Sequence, residues 1–497
     1  MYAKLFSRLL KCLPFLLVLC IFSASIVSAT ETESPPSGQE SPVSEETAAP
    51  EETPKEETSS PEEERPEPDA YFEPIQTNEI EGWPQGPAVW AESAVVMDLD
   101  SGAILYEKNM GATKYPASIT KILTTLVAIE NSRLDERVTF SENAIFGIER
   151  DSSHIGIRVG EILSMEECLY GMMLESANEV CLAVAEHISG SVDAFVELMN
   201  QKAAELGCTN THFVNANGLY DENHYTTARD LAIIAKAAFQ NETFREVVKT
   251  PYYIVPKTNI TDEERWLNNH HKMILQGSEY YEGCLGGKTG YTEKAGNTLV
   301  TYAERNGRKL VCALLADVNV VAQYTDTKAL LDYGFDSFQR LDTTAVSLSP
   351  AKSDKLGKQL EEKGLLSTAL ETTSISVPKE LTEELTYKTT LENNMLNIDY
   401  YYGKQQIGSS SMQASDEILK VSQELSPKEV TKTDASVSPN PTKDSNTSEK
   451  DNILPSWKYI ALFLLITGIL FYIVVLIVNI KRSIKRRKRK KARERRD

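Results

Sequence analysis

The stretch PASITK, residues 116–121, sets a hydroxyl and an amine three positions apart, Ser118 and Lys121. The residues after it, TKILTTLVAIENS, place Ile122, Leu123, Leu126 and Ile129 at helical spacing. On a helix, positions three apart share a face, so the two side chains can meet. A serine hydroxyl is a weak nucleophile near neutral pH and needs a base. A lysine serves as that base when burial or a second cation lowers its pKa. The start of a helix also offers unpaired N–H groups and a positive dipole end, where a developing oxyanion can be held. The bland alternative is an N-cap serine with a solvated lysine, and S-x-x-K alone does not decide between the two.

Two further motifs do. Ser176-Ala177-Asn178 lies in MMLESANEV, and Lys288-Thr289-Gly290 lies in GCLGGKTGYTEKAGN, ahead of a strand-like run. Taken singly, the first reads as a helix N-cap and the second as an edge-strand turn. The order S-x-x-K, S-x-N, K-T-G marks the serine acyl-enzymes that recognise penicillin. The chain also resembles the low-molecular-mass D-alanyl-D-alanine carboxypeptidases, penicillin-binding proteins of peptidase family S11. The segments that carry this are YPASITKILTTLVAIE, MLESANEVCLAVAEHISGS, FVNANGLYDENHYTTARDLAIIAKAAF and GGKTGYTEKAGNTLVTYAERNGRKLVCALL.

The resemblance implies that Ser118 is the acylated nucleophile and Lys121 its general base. Ser176 passes a proton towards the leaving group, and Asn178 contacts substrate and orients Lys121. Lys288 and Thr289 bind the substrate's terminal carboxylate. Gly290 lets the substrate backbone approach, and the backbone N–H groups of Ser118 and Tyr291 form the oxyanion hole. Tyr220, His224 and Arg229 are read either as pocket-shaping or as supports for a helix start. The implied partners are peptidoglycan pentapeptide and β-lactams, with no cofactor and no metal. The rivals are a β-lactamase and a non-catalytic wall-binding protein on the same fold. Glu264 to Asn268 fits the E-x-x-L-N pattern of lactamases, but it stands too close to Lys288 and is read as coincidence.

The expected architecture is α/β (α+β) of the serine β-lactamase/DD-peptidase type, with helices on a central antiparallel sheet. AVVMDLDSGAILYEKN reads as a hairpin, and Asn306-Gly307 between NTLVTYAER and RKLVCALLADV is a second. Strands at both ends of the region and helices between them suggest one sheet built from both chain ends. The catalytic domain is expected over 84–340 and a small, β-rich domain, read as all-β, over 345–420.

The termini suggest export. A basic start, an apolar stretch and Val27-Ser28-Ala29 read as a signal peptide over 1–29. Residues 30–83 read as a disordered acidic linker and 421–456 as a second linker. Residues 457–480 read as a transmembrane helix, long enough for ~30 Å of hydrocarbon. The tail 481–497, with twelve Lys or Arg against one Glu and one Asp, is expected in the cytoplasm. The net charge is −20 despite that tail, so the body is acidic and nucleic acid is not an expected partner. Five cysteines follow the leader, with no CxxC and no HExxH, so neither a disulfide framework nor a zinc site is expected.

Overall fold

The computed structural model describes residues 69–366 and 373–425. The expected signal peptide, most of the expected first linker, the expected transmembrane helix and the basic tail lie outside the described residues. Among the described residues no helix is long and apolar enough to cross a membrane. The single turn Asp69–Phe72 belongs to a separate unit, and the main unit begins at Glu73.

In chain order, β1 (Ser93–Asp98) and β2 (Ile104–Lys108) form the first hairpin. A 3-10 turn, Ala117–Thr120, then runs into the helix Lys121–Asn131. The short strands β3 (Arg137–Thr139) and β4 (Ile162–Ser164) pair with each other. Helices Met165–Leu174, Asn178–Ser189, Val192–Glu205, Ala228–Gln240 and Glu242–Lys249 follow. β5 (Tyr252–Val255) and β6 (Arg265–Asn268) form a separate antiparallel pair. The chain then returns to the main sheet as β7 (Cys284–Thr292), β8 (Gly296–Arg305) and β9 (Arg308–Asp317). The sheet order is β2-β1-β9-β8-β7, so both chain ends build one antiparallel sheet, as the hairpin signals imply. Asn306 and Gly307 sit at φ 53° and 76°, the conformation that a two-residue hairpin of this hand needs.

Both faces of this sheet are covered, which is why its strands read as near-continuous apolar runs. On β9, Val311, Ala313 and Leu315 enter the core shared with the middle helices, whereas Leu310, Cys312 and Leu314 enter a second core. That second core includes Leu330, Leu331 and Phe335 of the helix Val320–Ser337 and extends into the C-terminal module. The helix Lys121–Asn131 runs through the first core, with every residue from Lys121 to Ala128 buried. Its apolar character all round accounts for its central place. Cys168, Cys181, Cys208 and Cys312 are buried free thiols, and Cys284 is half-buried.

Beyond the catalytic region, β10 (Phe338–Asp342) and β11 (Ser349–Pro350) are followed by the helix Lys355–Glu362. Then come β12 (Ser374–Pro378), β13 (Leu385–Glu392), β14 (Met395–Tyr402) and β15 (Gln405–Gln413). β10 pairs with β12, and a four-stranded sheet runs β11-β13-β14-β15. The module is therefore β-rich but not all-β. It ends in the helix Asp416–Leu425, which overruns the expected linker start at 421.

Order also begins earlier than residue 84. β2 is the outer strand of the main sheet, and its free polar groups are taken by the segment before it. Thr77 Oγ1 accepts from Glu107 N (3.2 Å), Gln76 Oε1 accepts from Asn109 N (2.8 Å), and buried Trp83 donates Nε1–H to Leu105 O (2.9 Å). From the other side, Gln405 donates to Ile104 O (3.3 Å) and Tyr402 donates to Gly82 O (3.2 Å). Acidic composition suggested a linker here, but hydrogen bonding to a strand edge orders it.

At the far end of β9, Asp317 lies opposite Asn297, and its backbone carbonyl accepts from Asn297 Nδ2 (3.3 Å). Its carboxylate is buried beside that of Asp326. Burial, and then the neighbouring Asp326 carboxylate, push its pKa up to about 8. A carboxyl raised in this way is protonated in the folded chain and ionised in the unfolded one between the ordinary value and about 8. Its cost to stability therefore grows as pH rises through that window. Asp317→Asn, which removes the charge and offers Asp326 a donor, should raise the melting temperature at pH 8 relative to the parent. The difference should shrink towards zero near pH 4, as read by thermal unfolding at the two pH values.

Candidate active site

The turn that carries Ser118 is held from three sides. Thr298 of β8 donates its hydroxyl to Pro116 O at 2.9 Å. Thr120 donates to Ala117 O at 2.8 Å. His224 meets Thr120 Oγ1 through Nε2 at 2.8 Å, while its Nδ1 accepts from Val214 N at 3.2 Å. The Nδ1 contact fixes the proton on Nε2, so His224 donates to the threonine that donates onward. Burial lowers the His224 pKa to about 3, which keeps the ring neutral and this donor order intact. Ala117 is held at φ 51°, a conformation that alanine rarely adopts. Gly218 explains how that is tolerated: a Cβ there would lie 1.9 Å from Ala117 O.

Lys121 opens the helix that follows this turn, and it is fully buried. Its Nζ lies 2.7 Å from Asn178 Oδ1, 2.6 Å from the carbonyl oxygen of Asn217 and 3.2 Å from Ser118 Oγ. The first two are acceptors only. A neutral amine gives its two hydrogens to them and turns its lone pair to the one neighbour that can donate, the Ser118 hydroxyl. Burial lowers the Lys121 pKa and favours that neutral form.

Asn178 begins the helix Asn178–Ser189, anchored by its N–H to Ser153 O at 2.9 Å. Ser176, two residues earlier, stands at φ 59°. Its hydroxyl oxygen is buried and has no hydrogen-bond partner among the described residues. The two non-glycine residues with this strained backbone nearest the site, Ala117 and Ser176, flank the two motif segments. Such strain persists where the surrounding structure over-determines it.

The third motif arrives on β7, an edge strand of the sheet. Its register sets Lys288 opposite Val300, Gly290 opposite Thr298 and Tyr291 opposite Asn297. Lys288 is buried, with Nζ donating to Thr289 O at 3.0 Å. Burial and then the charge of Lys121 lower its pKa to about 7. The strand that carries Lys288 lies against the 3-10 turn that carries Ser118. Gly290 makes the contact direct: a Cβ there would lie 2.4 Å from Thr298 Oγ1 and 2.9 Å from Ser118 N. Thr289 is half-buried and Tyr291 is exposed.

Contacts thus bring Ser118, Lys121, Asn178 and Gly290 to one place, with Ser176 two residues before Asn178 and Lys288 two residues before Gly290 on β7. Of the softer residues, His224 positions the Ser118 turn. Arg229 pairs with Asp230 at 3.2 Å at a helix start, and Tyr220 packs edge-on against Tyr115 at 5.0 Å. Glu264 is exposed, and its neighbour Arg265 is paired with buried Glu161 at 2.7 Å. The Asn217 carbonyl and Thr298 were missed, since neither a main-chain acceptor nor a pinning hydroxyl leaves a motif. His271 was also missed. It lies beneath the strand, hydrogen-bonded to Thr301 at 2.9 Å, with its pKa lowered to about 4 by burial.

Gly290→Ala should push the Ser118 turn away from β7 by part of an ångström. Stopped-flow labelling with a fluorescent penicillin should then slow by on the order of 100-fold, the usual effect of misplacing a reacting group.

The family model for D-alanyl-D-alanine carboxypeptidases, peptidase family S11, matches residues 81–319. The D-alanyl-D-alanine carboxypeptidase DacF of Bacillus subtilis is 34% identical over 254 residues, covering 50% of this chain and 63% of that relative. DacB2 of Mycobacterium tuberculosis is 32% identical over 257 residues, covering 51% of this chain and 84% of the relative. The solved Streptomyces K15 DD-transpeptidase is 31% identical, with a TM-score of 0.48, covering 51% of this chain and all of that one. The matched stretch spans less than two thirds of the B. subtilis protein's own length, and it falls on the segment that holds all three motifs. With the site assembled, and with the family model and the DacB2 likeness in place, the chain belongs to the S11 family of D-alanyl-D-alanine carboxypeptidases.

Proposed function

We propose that this chain is a serine-type carboxypeptidase that removes the terminal D-alanine from D-Ala-D-Ala-ended peptidoglycan stem peptides and is acylated by penicillins. The observation that carries this reading is the set of neighbours around the Lys121 amine: two obligate acceptors and the Ser118 hydroxyl. In the proposed reaction Lys121 takes the hydroxyl proton as Ser118 Oγ attacks the carbonyl of the penultimate residue. The N–H groups of Ser118 and Tyr291 hold the oxygen that turns negative. The peptide C–N bond breaks as the Ser176 hydroxyl, unpartnered among the described residues, relays a proton to the departing D-alanine amine. Lys288 and Thr289 bind the terminal carboxylate. Water then attacks the acyl ester and restores the serine.

Because β7 is an edge strand, its free main-chain groups are available to an extended peptide laid alongside it. A side chain at Gly290 would stand in that path. An E-x-x-L-N glutamate as deacylating base has no support here, since Glu264 is solvent-exposed. The same proposal has the enzyme working outside the membrane, with residues 1–29 removed and 457–480 as its anchor. That part rests on the composition of the two ends.

Mass spectrometry after penicillin treatment should find one adduct, on Ser118. Ser118→Ala should lose both the adduct and D-alanine release, and release that survives would refute the assignment. The pH dependence offers a second test. Lys288 carries its charge below about pH 7 and loses it above, so its hold on a carboxylate weakens as pH rises. kcat/KM for a free pentapeptide should fall on that limb in the parent. Lys288→Arg, whose charge does not titrate there, should flatten it.

A further inference from the structure

The hairpin β5–β6 stands beside the cleft and takes no part in the chemistry above. One of its faces is fixed inward. Tyr253 stacks on Tyr170 with ring centroids 3.9 Å apart, Val255 and Leu267 are buried, and Arg265 is paired with Glu161 at 2.7 Å. Strand alternation sends Tyr252, Ile254, Trp266 and Asn268 to the other face. There Tyr252 and Trp266 are 57% and 60% exposed, and their rings lie nearly parallel at 22° with centroids 5.8 Å apart. None of the four outward residues is charged, on a chain in which a quarter of the residues are. Large aromatic faces left in water by a well-anchored hairpin mark a binding surface.

The face is continuous with the catalytic cleft. Asn268, the strand partner of Tyr252, donates its backbone N–H to Glu175 Oε1 at 2.7 Å. His270, two residues on, pairs with the other oxygen of Glu175 at 3.0 Å. Glu175 immediately precedes Ser176 and lies close enough to raise the pKa of Lys288. Glu175 thus ties the end of this hairpin to the segment that carries Ser176, so a substrate extending from the cleft on that side would reach the hairpin.

We propose that the Tyr252–Trp266 face is a saccharide subsite, which holds an uncharged pyranose ring of the glycan strand to which the stem peptide is attached. The apolar C–H face of a sugar ring stacks on an aromatic plane, and the absence of charge suits a neutral ligand. The proposal rests on the carboxypeptidase reading, because it supplies the polymer end of the same substrate. The subsite would let the enzyme prefer wall-linked peptide to free peptide.

The test compares two substrates with the full-length chain: a free pentapeptide, and the same peptide carried on a short glycan. The readout is the ratio of kcat/KM for the glycan-linked peptide to that for the free peptide. In a Tyr252→Ala, Trp266→Ala variant this ratio should drop about tenfold, the size expected for losing an aromatic stacking pair, with the loss in KM rather than kcat. Peptide-free glycan should change the tryptophan emission of the parent but not of Trp266→Phe. An unchanged ratio, an equal loss on both substrates, a silent emission spectrum, or sedimentation showing this face buried in a dimer would each overturn the subsite. Ser118 labelling by penicillin and release of D-alanine from free peptide are measured in parallel. If these fail, the reading of the catalytic site falls. If they hold while the ratio does not move, only the subsite falls.

Discussion

Lys121 brings an amine into a fully buried place, and the surrounding structure is organised around keeping it there uncharged. Burying an ammonium is costly unless its hydrogens find partners or the proton leaves. Here two oxygens from distant segments, Asn178 Oδ1 and Asn217 O, serve the neutral amine, and burial lowers its pKa. The helix Lys121–Asn131 must therefore be buried at its first residue, the loop through Asn217 must return to it, and β7 must lie against the turn before it. Each of these demands is met by a local device: Gly218 beneath Ala117, Thr298 on Pro116, Gly290 against Ser118 N.

These devices separate the strained parts of the chain from its strong parts. Ala117 and Ser176 hold left-handed backbone, which costs of order 1–3 kcal/mol for each non-glycine residue so held. The rigid surroundings that oppose relaxation are the two-sided sheet and the buried helix. The site is precise because its distorted residues have nowhere to go, and the cores on both sides of the sheet are what deny them room.

The sheet and its order were legible because hairpins announce themselves locally, as Asn306-Gly307 does. The three motif segments were legible because side chains carry them. PASITK misled in one respect: Ser118 rides a 3-10 turn, and the regular helix begins only at Lys121. No pattern of residue types reports a positive φ at an alanine. Nor does sequence name the Asn217 carbonyl, since every residue has one, or the meeting of Thr120 with His224 across 104 positions. The early end of the linker was misread for a related reason. Gln76, Thr77 and Trp83 look like part of an acidic polar tract until the strand they cap is in place.

That capping has a bearing on how the molecule behaves in a crowd. An open sheet has two rims, each able to recruit a foreign strand. On this chain the β2 rim is occupied by side chains from residues 76–83 and by Gln405 from the C-terminal module, so self-templating is blocked there without a single added strand. A processed form that lost the module would shed Gln405 and the Tyr402 tether to Gly82 together. It would keep its reactive serine, and its β2 rim would lose one cap while Gln76, Thr77 and Trp83 stayed in place. The module thus adds one contact to a rim that the chain before β2 already closes.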